Sequence, residues 1–208
     1  MKYHSQYQQD EYVYNNFFLN KKDGTFLEIG AHDGISYSNT YFFEKELGWK
    51  GICIEPIKTL FEELKKNRSC ICVEGCVTDF TGKGLFLEIE GYAQMLSGLV
   101  NKYNEKHLKR IDYDMSLFGG SKKETEVDCF ILGDLLKEHN ISKIDFCSLD
   151  VEGAELDILK TIDFDNFYFD ILSIENNSGT SEIKKFMISK GYEEVVLLGC
   201  DELYRKKI

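Results

Sequence analysis

Five carboxylates stand where apolar runs of this chain give way to polar turns: Glu28, Glu55, Asp150, Glu152 and Glu175. Glu28 opens the pattern Glu28-x-Gly30-x-x-x-Gly34, and a glycine-rich turn of this kind lets backbone approach a ligand closely. Dinucleotide sites place G-x-G-x-x-G at such a turn so that pyrophosphate can touch the main chain. Here Glu28 replaces the first of those glycines. A carboxylate in that place repels pyrophosphate and attracts an ammonium group, which S-adenosylmethionine carries beside its sulfonium. Glu55 closes the next apolar run, where an acidic side chain accepts hydrogen bonds from the two ribose hydroxyls of a nucleoside cofactor. Pro56 and Ile57 follow and suit packing against an adenine, whose edge Cys76, Val77 or Asp79 would meet after the third run.

The later acids point to a different task. Asp150 and Glu152 flank a strand-to-helix turn in Asp145–Glu155, and Glu175-Asn176 ends the following apolar run. If these runs are neighbouring strands, Asp150, Glu175 and Asn176 converge. Hard divalent cations such as Mg²⁺ take carboxylate and carbonyl oxygens of this kind. A hydroxyl bound to such an ion loses its proton more readily, and Glu152 is then placed to accept it as the general base. The same acids also suit helix N-termini, which favour negative charge. His32 in the first turn has the right reference pKa for a base, but a side chain packed against its own loop accounts for it better.

For these groups to meet, the runs that carry them must be strands of one sheet. Thr25–Gly30, Gly51–Glu55, Cys70–Gly75, Ile144–Leu149 and Tyr168–Ile174 are short and almost continuously apolar. Helical patterns separate them, at about 39–47, 57–66, 153–161 and 181–190, with a lead-in helix at about 6–19. That alternation predicts an α/β fold: a parallel sheet with helices on both faces. Val195–Leu198 and Leu203–Arg205 read as a closing antiparallel hairpin, and Leu85–Ile89 as an edge strand. The stretch from about Glu90 to Glu126 reads as an irregular insertion on the substrate side, with Tyr92, Tyr103 and Tyr113 as candidates to stack on sugar rings. Ligands of such folds bind beyond the carboxyl ends of the strands.

Composition narrows the partners. At 208 residues with a single proline and no Gly/Ser-rich run, one domain over 1–208 is expected. The net charge of −11 argues against nucleic acid and anionic membranes and favours a neutral acceptor. The basic run Lys106–Arg110 reads as a solvated helix face. No apolar stretch approaches the length of a membrane span, and the first residues lack the apolar core of a signal peptide. Seven cysteines without a secretory signal suit small buried hydrophobes in a reducing cytoplasm, and Cys70, Cys72 and Cys76 lack the spacing of a zinc site.

With these residues assembled, the chain resembles the FkbM family of methyltransferases. The likeness lies in Phe26–Gly34, Ser38-Asn39-Thr40, Gly48–Pro56, Asn67-Arg68 and Leu149–Leu159. The lead-in Ser5–Asp10 and the ending Lys190-Gly191-Tyr192 are also similar to the family's pattern. The resemblance implies a Rossmann-like class I methyltransferase fold with a seven-stranded, mostly parallel sheet. It further implies S-adenosylmethionine as donor and O-methylation of a hydroxyl, often on a sugar or glycan. Glu28, Gly30, Glu55 and Asp150 would line the cofactor, with Ala31, Asp33 and Asn39 in the same cradle. The pairing of Asp150 with Glu175-Asn176 is similar to metal-dependent O-methyltransferases, although Glu175 stands where those enzymes commonly carry Asp. Two alternatives share the fold: a nicotinamide-dependent oxidoreductase, and a binding module without catalysis.

Overall fold

Each central strand buries both of its faces, because residues of alternating parity enter two different cores. The computed structural model describes residues 1–207. Nine elements carry the cofactor half and its coverings: α1 (Gln9–Phe17), β1 (Thr25–Ile29), α2 (Tyr41–Leu47), β2 (Lys50–Glu55), α3 (Lys58–Asn67), β3 (Ile71–Glu74), β4 (Cys76–Thr78), β5 (Gly82–Glu90) and β6 (Gly98–Leu99). The remainder comprises α4 (Glu105–Phe118), β7 (Ser121–Ile131), α5 (Leu132–Glu138), β8 (Lys143–Leu149), α6 (Glu155–Thr161), β9 (Tyr168–Glu175), α7 (Glu182–Ser189), β10 (Tyr192–Leu198) and β11 (Asp201–Lys206).

Seven strands form the main sheet in the order β10-β11-β9-β8-β1-β2-β3. From β3 to β9 the neighbours are parallel, while β11 pairs antiparallel with both β9 and β10. Leu27 and Ile29 of β1 join Ile52, Ile54, Leu172 and the inner faces of α5, α6 and α7 on one side. Phe26, Cys53, Phe146 and Ile171 pack on the other side with Val13, Phe42, Phe43 and Leu64 of α1, α2 and α3. This is the period-2 alternation of a strand, with apolar residues on both sides because helices cover both faces. The α/β methyltransferase fold expected from the sequence is the one observed.

Two expectations are corrected. Leu85–Ile89 is a strand, but it lies in a second, four-stranded sheet of order β4-β7-β5-β6. The stretch 90–126 is not irregular. It contains two short 3₁₀ turns, β6, the helix α4 and the first half of β7, which pairs with β5 from Glu90↔Ser121 to Gly82↔Cys129. The pattern hid α4 because Ile111 is its one buried residue. Its start is nonetheless capped, since the Asn104 side chain accepts a hydrogen bond from the His107 amide at 2.9 Å. No helix among the described residues is long and apolar enough to cross a membrane.

Candidate active site

One cavity opens beyond the carboxyl ends of β1, β2, β8 and β9, with the second sheet and α4 on its far side. Its floor is the turn after β1. Gly30 has φ of +85°, and a Cβ there would come within 1.9 Å of the Asp150 carbonyl oxygen. Only glycine allows the two turns to meet so closely. The Gly30 and Ala31 amides both donate to the Ile54 carbonyl at 3.0 Å, which locks the turn against β2.

Glu28 lines the cavity as expected, but protein donors already occupy its carboxylate oxygens. It is buried, and its oxygens accept from the Ser38 hydroxyl at 2.8 Å, the Asn39 amide at 2.7 Å and the Thr40 hydroxyl at 2.7 Å. Arg68, fully buried, donates to it at 3.0 Å and also reaches the Gly34 carbonyl, the Ser38 and Thr40 hydroxyls and Glu44. Glu28 is thus the anchor that folds the segment after the glycine turn. The segment it anchors presents Asn39. The Asn39 side chain donates to the Ser148 hydroxyl at 2.8 Å, and its Oδ1 is buried without a partner at the cavity wall. A buried acceptor left unpaired is costly, so this atom is the feature of the floor that most invites a donor.

Asp33 is also reassigned. Its carboxylate accepts from the Ile35 and Ser36 amides at 2.8 and 2.7 Å and from the Ser36 hydroxyl. Burial pushes its carboxyl up, but these donors and His32 hold it below the ordinary value. It closes a local turn and does not line the cavity.

Glu55 does line it. One oxygen accepts from the His32 amide at 2.8 Å and the other from the Ile57 amide at 2.9 Å. Each oxygen keeps a lone pair for a further donor. Burial raises its carboxyl to about 7, against the pull of those two amides. Pro56, Ile57, Cys76 and Val77 continue the same wall. His32 lines the cavity, with Nε2 3.4 Å from the Gln94 side-chain oxygen, while its Nδ1 stays 3.6 Å from Asp33 in its own loop.

At the other end lie the remaining acids. Ligand atoms of Asp150, Glu152 and Glu175 all fall within 4.8 Å of one another. Glu152 has φ of +58°, unusual for a side-chain-bearing residue. The turn that holds it is tied by Glu155, which accepts from the Val151 and Gly153 amides at 3.1 Å. Burial, then Asp150 and Glu155, push the Glu152 carboxyl well above its ordinary value. Asp150 is an exposed residue, yet desolvation by the protein atoms around it, then the nearby Asp201 and Glu155 carboxylates, raise its carboxyl to about 7, and burial with Asp150 and Glu152 raises Glu175. Asn176 is not among them. Its amide donates to the Thr180 carbonyl and to Glu202, and its oxygen accepts from Ser178 and Gly179. The third member of the acidic set is therefore Glu152.

Several residues here escaped the sequence reading. Asn177 donates to Glu152 at 3.3 Å, and His107 of α4 places Nδ1 3.7 Å from the same carboxylate. Neither position carried a local signal, because each reaches the site only through tertiary packing. The aromatics expected to stack on sugars lie elsewhere. Tyr103 donates to the Leu96 carbonyl and stacks on His107, Tyr92 lies against Phe118, and Tyr113 is exposed outside the cavity. The seven cysteines are all free thiols.

A Rossmann-like sheet with this cavity at its carboxyl edge defines a nucleoside-cofactor enzyme class, and known proteins narrow it. The methyltransferase FkbM domain matches residues 28–194. The chain belongs to the FkbM methyltransferase family. A protein called Methyltransferase 1 from Beauveria bassiana (strain ARSEF 2860) is 24% identical over 207 residues, covering 89% of this chain and 82% of that protein. The crystal structure of Methyltransferase FkbM from Methylobacillus flagellatus KT matches with a TM-score of 0.50 at 12% identity, over 94% of this chain and 50% of that one. The N-terminal domain of human METTL16 gives a TM-score of 0.47 at 15% identity, over 95% of this chain and 66% of that one. The chain thus spans half to two thirds of the length of these solved relatives.

Proposed function

We propose that this methyltransferase uses S-adenosylmethionine to methylate a hydroxyl, with a sugar or glycan as acceptor. The observation that carries the reading is the cavity's division into two ends. One has Glu55 and the unpaired Asn39 oxygen as acceptors, and the other has a cluster of carboxyls whose affinity for protons is raised. The residues fit the cofactor. Glu55 can accept from a ribose diol, Asn39 Oδ1 from an ammonium, and Pro56, Ile57, Cys76 and Val77 can flank an adenine. Bound there, the cofactor supplies an electrophilic methyl group on its sulfonium.

The chain's own task is then to position the acceptor hydroxyl and remove one proton. Glu152 is the base: its raised carboxyl holds a proton more tightly than an ordinary glutamate, and Asn177 and His107 orient it. Asp150 stands beside it and raises its basicity through its charge.

A divalent cation is the second reading of the same cluster. The mutual approach of Asp150, Glu152 and Glu175 favours it, with Asn176 no longer in the set. Turnover that survives EDTA unchanged removes this reading and leaves the base intact. Neutralised by Arg68, Glu28 does not by itself repel pyrophosphate, so the argument against a nicotinamide oxidoreductase rests on the family. Calorimetry with S-adenosylhomocysteine and with NAD is the test. Binding of the first alone is expected, and binding of NAD alone overturns the proposal. A methyl-transfer assay on glycan acceptors then separates an enzyme from a non-catalytic binding module.

A further inference from the structure

The lead-in Ser5–Asp10 takes no part in the chemistry above, yet it is built with care. Asp10 is buried and accepts from the His4 amide at 2.7 Å and the Ser5 hydroxyl at 2.5 Å. Gln9 is buried as well. Its oxygen accepts from the Tyr7 amide at 2.8 Å, and its nitrogen donates at 2.8 Å to Asp201, the strand partner of Glu175. One amide thus ties the backbone of Tyr7 to the strand end that carries an active-site acid.

What this fixes is an exposed aromatic ring. Tyr7 lies flat on Gly199, where a Cβ would come within 2.3 Å of the ring. It remains 39% exposed and lines the cavity. Tyr37 lines the cavity too, is 54% exposed, and is bridged to Ser5 of the same lead-in. Its φ of +57° is one that a tyrosine adopts only under constraint. One ring packed on Gly199 and a second carried on a bridged backbone, both open to the cavity, are surfaces for a ligand with an apolar face.

Arg110 of α4 also lines the cavity, and it is the one permanently cationic side chain among the described lining residues. Its ion-pair partner is Asp114, one turn along its own helix and 3.9 Å away. Its charge favours the ionised forms of both the Tyr7 hydroxyl and the Glu152 carboxyl. The guanidinium is therefore within electrostatic reach of Tyr7 and of the reaction-side acid. A planar guanidinium recognises carboxylate and phosphate oxygens in pairs.

Resting on the methyltransferase reading, we propose that Tyr7, Tyr37 and Arg110 form the acceptor seat, and that it takes a sugar bearing a carboxylate or phosphate. The rings receive the apolar face of the sugar, and Arg110 receives its anionic group. The overall charge of −11 favours a neutral acceptor, and Glu28, Glu55, Asp150, Glu152, Glu175 and Asp201 line the same cavity, so the anionic group is received only at Arg110, the one permanent cation among the described lining residues.

The test is calorimetry on the full chain, with and without saturating S-adenosylhomocysteine, using methyl β-D-glucuronide, glucose 1-phosphate and methyl β-D-glucoside as probes. At least one anionic probe is expected to bind about tenfold or more tightly than the glucoside, the scale of one charge-assisted contact. The stronger anionic probe tells carboxylate from phosphate. Arg110→Gln is expected to erase the preference, and Tyr7→Ala to weaken charged and neutral probes alike. Arg110 and Tyr7 are both solvent-exposed in part, and melting curves of the variants check that they fold. Equal binding of the glucoside, no binding of any probe, or a preference that survives Arg110→Gln overturns the seat. S-adenosylhomocysteine that fails to bind overturns the cofactor reading instead.

Discussion

The two ends of the cavity are both built on carboxylates at strand ends, and the fold treats them in opposite ways. At the end of β1, Glu28 is surrounded by the donors of Ser38, Asn39, Thr40 and Arg68. At the ends of β8 and β9, Asp150, Glu152 and Glu175 crowd together; burial and neighbouring carboxylates raise Glu152 and Glu175, while desolvation with Asp201 and Glu155 raises the exposed Asp150. A carboxylate saturated by protein donors is a structural part. One left short of donors keeps its affinity for a proton or an ion and is available for chemistry.

Breaking the saturated end is expected to have the largest effect. Arg68→Met leaves Glu28 without its cation and Glu44 with Lys45 alone, and unpairing a buried charge costs about 3–5 kcal/mol. Denaturant melts measure this, and an unchanged midpoint would show that the network contributes nothing. At the other end Glu152→Gln removes the base, for which a loss of turnover of about 10²–10⁴-fold is expected. Affinity for S-adenosylhomocysteine should not change, because Glu152 lies at the acceptor end. A parallel loss of cofactor affinity would refute the division of the cavity.

Glu55 offers a pH readout between the two. Its carboxyl is raised from 4.5 to about 7 in the folded protein, so the folded state holds the proton more tightly than the unfolded chain. Its contribution to stability is greatest at acid pH and is lost as pH rises from 4.5 through about 7. Cofactor affinity should move the other way, since the ionised form is the better acceptor for a ribose diol. Glu55→Gln is expected to flatten its share of both profiles and to lower affinity by about tenfold. Asp150 titrates near the same pH, so the comparison must be variant against parent. The smallest effect is expected at Asp33, where Asp33→Ala removes acceptors for the Ile35 and Ser36 amides at a cost of about 1 kcal/mol. Unchanged cofactor affinity would confirm its place in the turn, and a tenfold loss would return it to the cradle.

Much of the fold was legible along the chain because the buried strands are local apolar runs closed by polar turns. Glu55, Pro56, Ile57, Cys76 and Val77 could be placed for the same reason: each follows directly from the end of its own strand. Glu28 could not be judged this way, since Arg68 lies 40 positions away and its cation reaches the carboxylate only in the folded core. Asn176 was counted into the acidic cluster and Glu152 was left out of it, because sequence places a residue at a strand end without fixing where its side chain turns. The helix α4 was read only as the solvated face Lys106–Arg110 inside an irregular stretch, because it rests on the body of the protein through few buried side chains; that Arg110 of this face lines the cavity was not legible.

The sequence by itself determined the parallel sheet, the glycine turn that Gly30 requires, and the acidic character of the strand ends. These depend on residue type and near spacing alone. Tertiary structure decided which acids are neutralised and which are left reactive, because charge pairing and burial join residues that are remote in the chain. It also decided what else lines the cavity. Tyr7, Tyr37 and Arg110 come from the lead-in, the first turn and α4, and only the closing of the cavity brings them together.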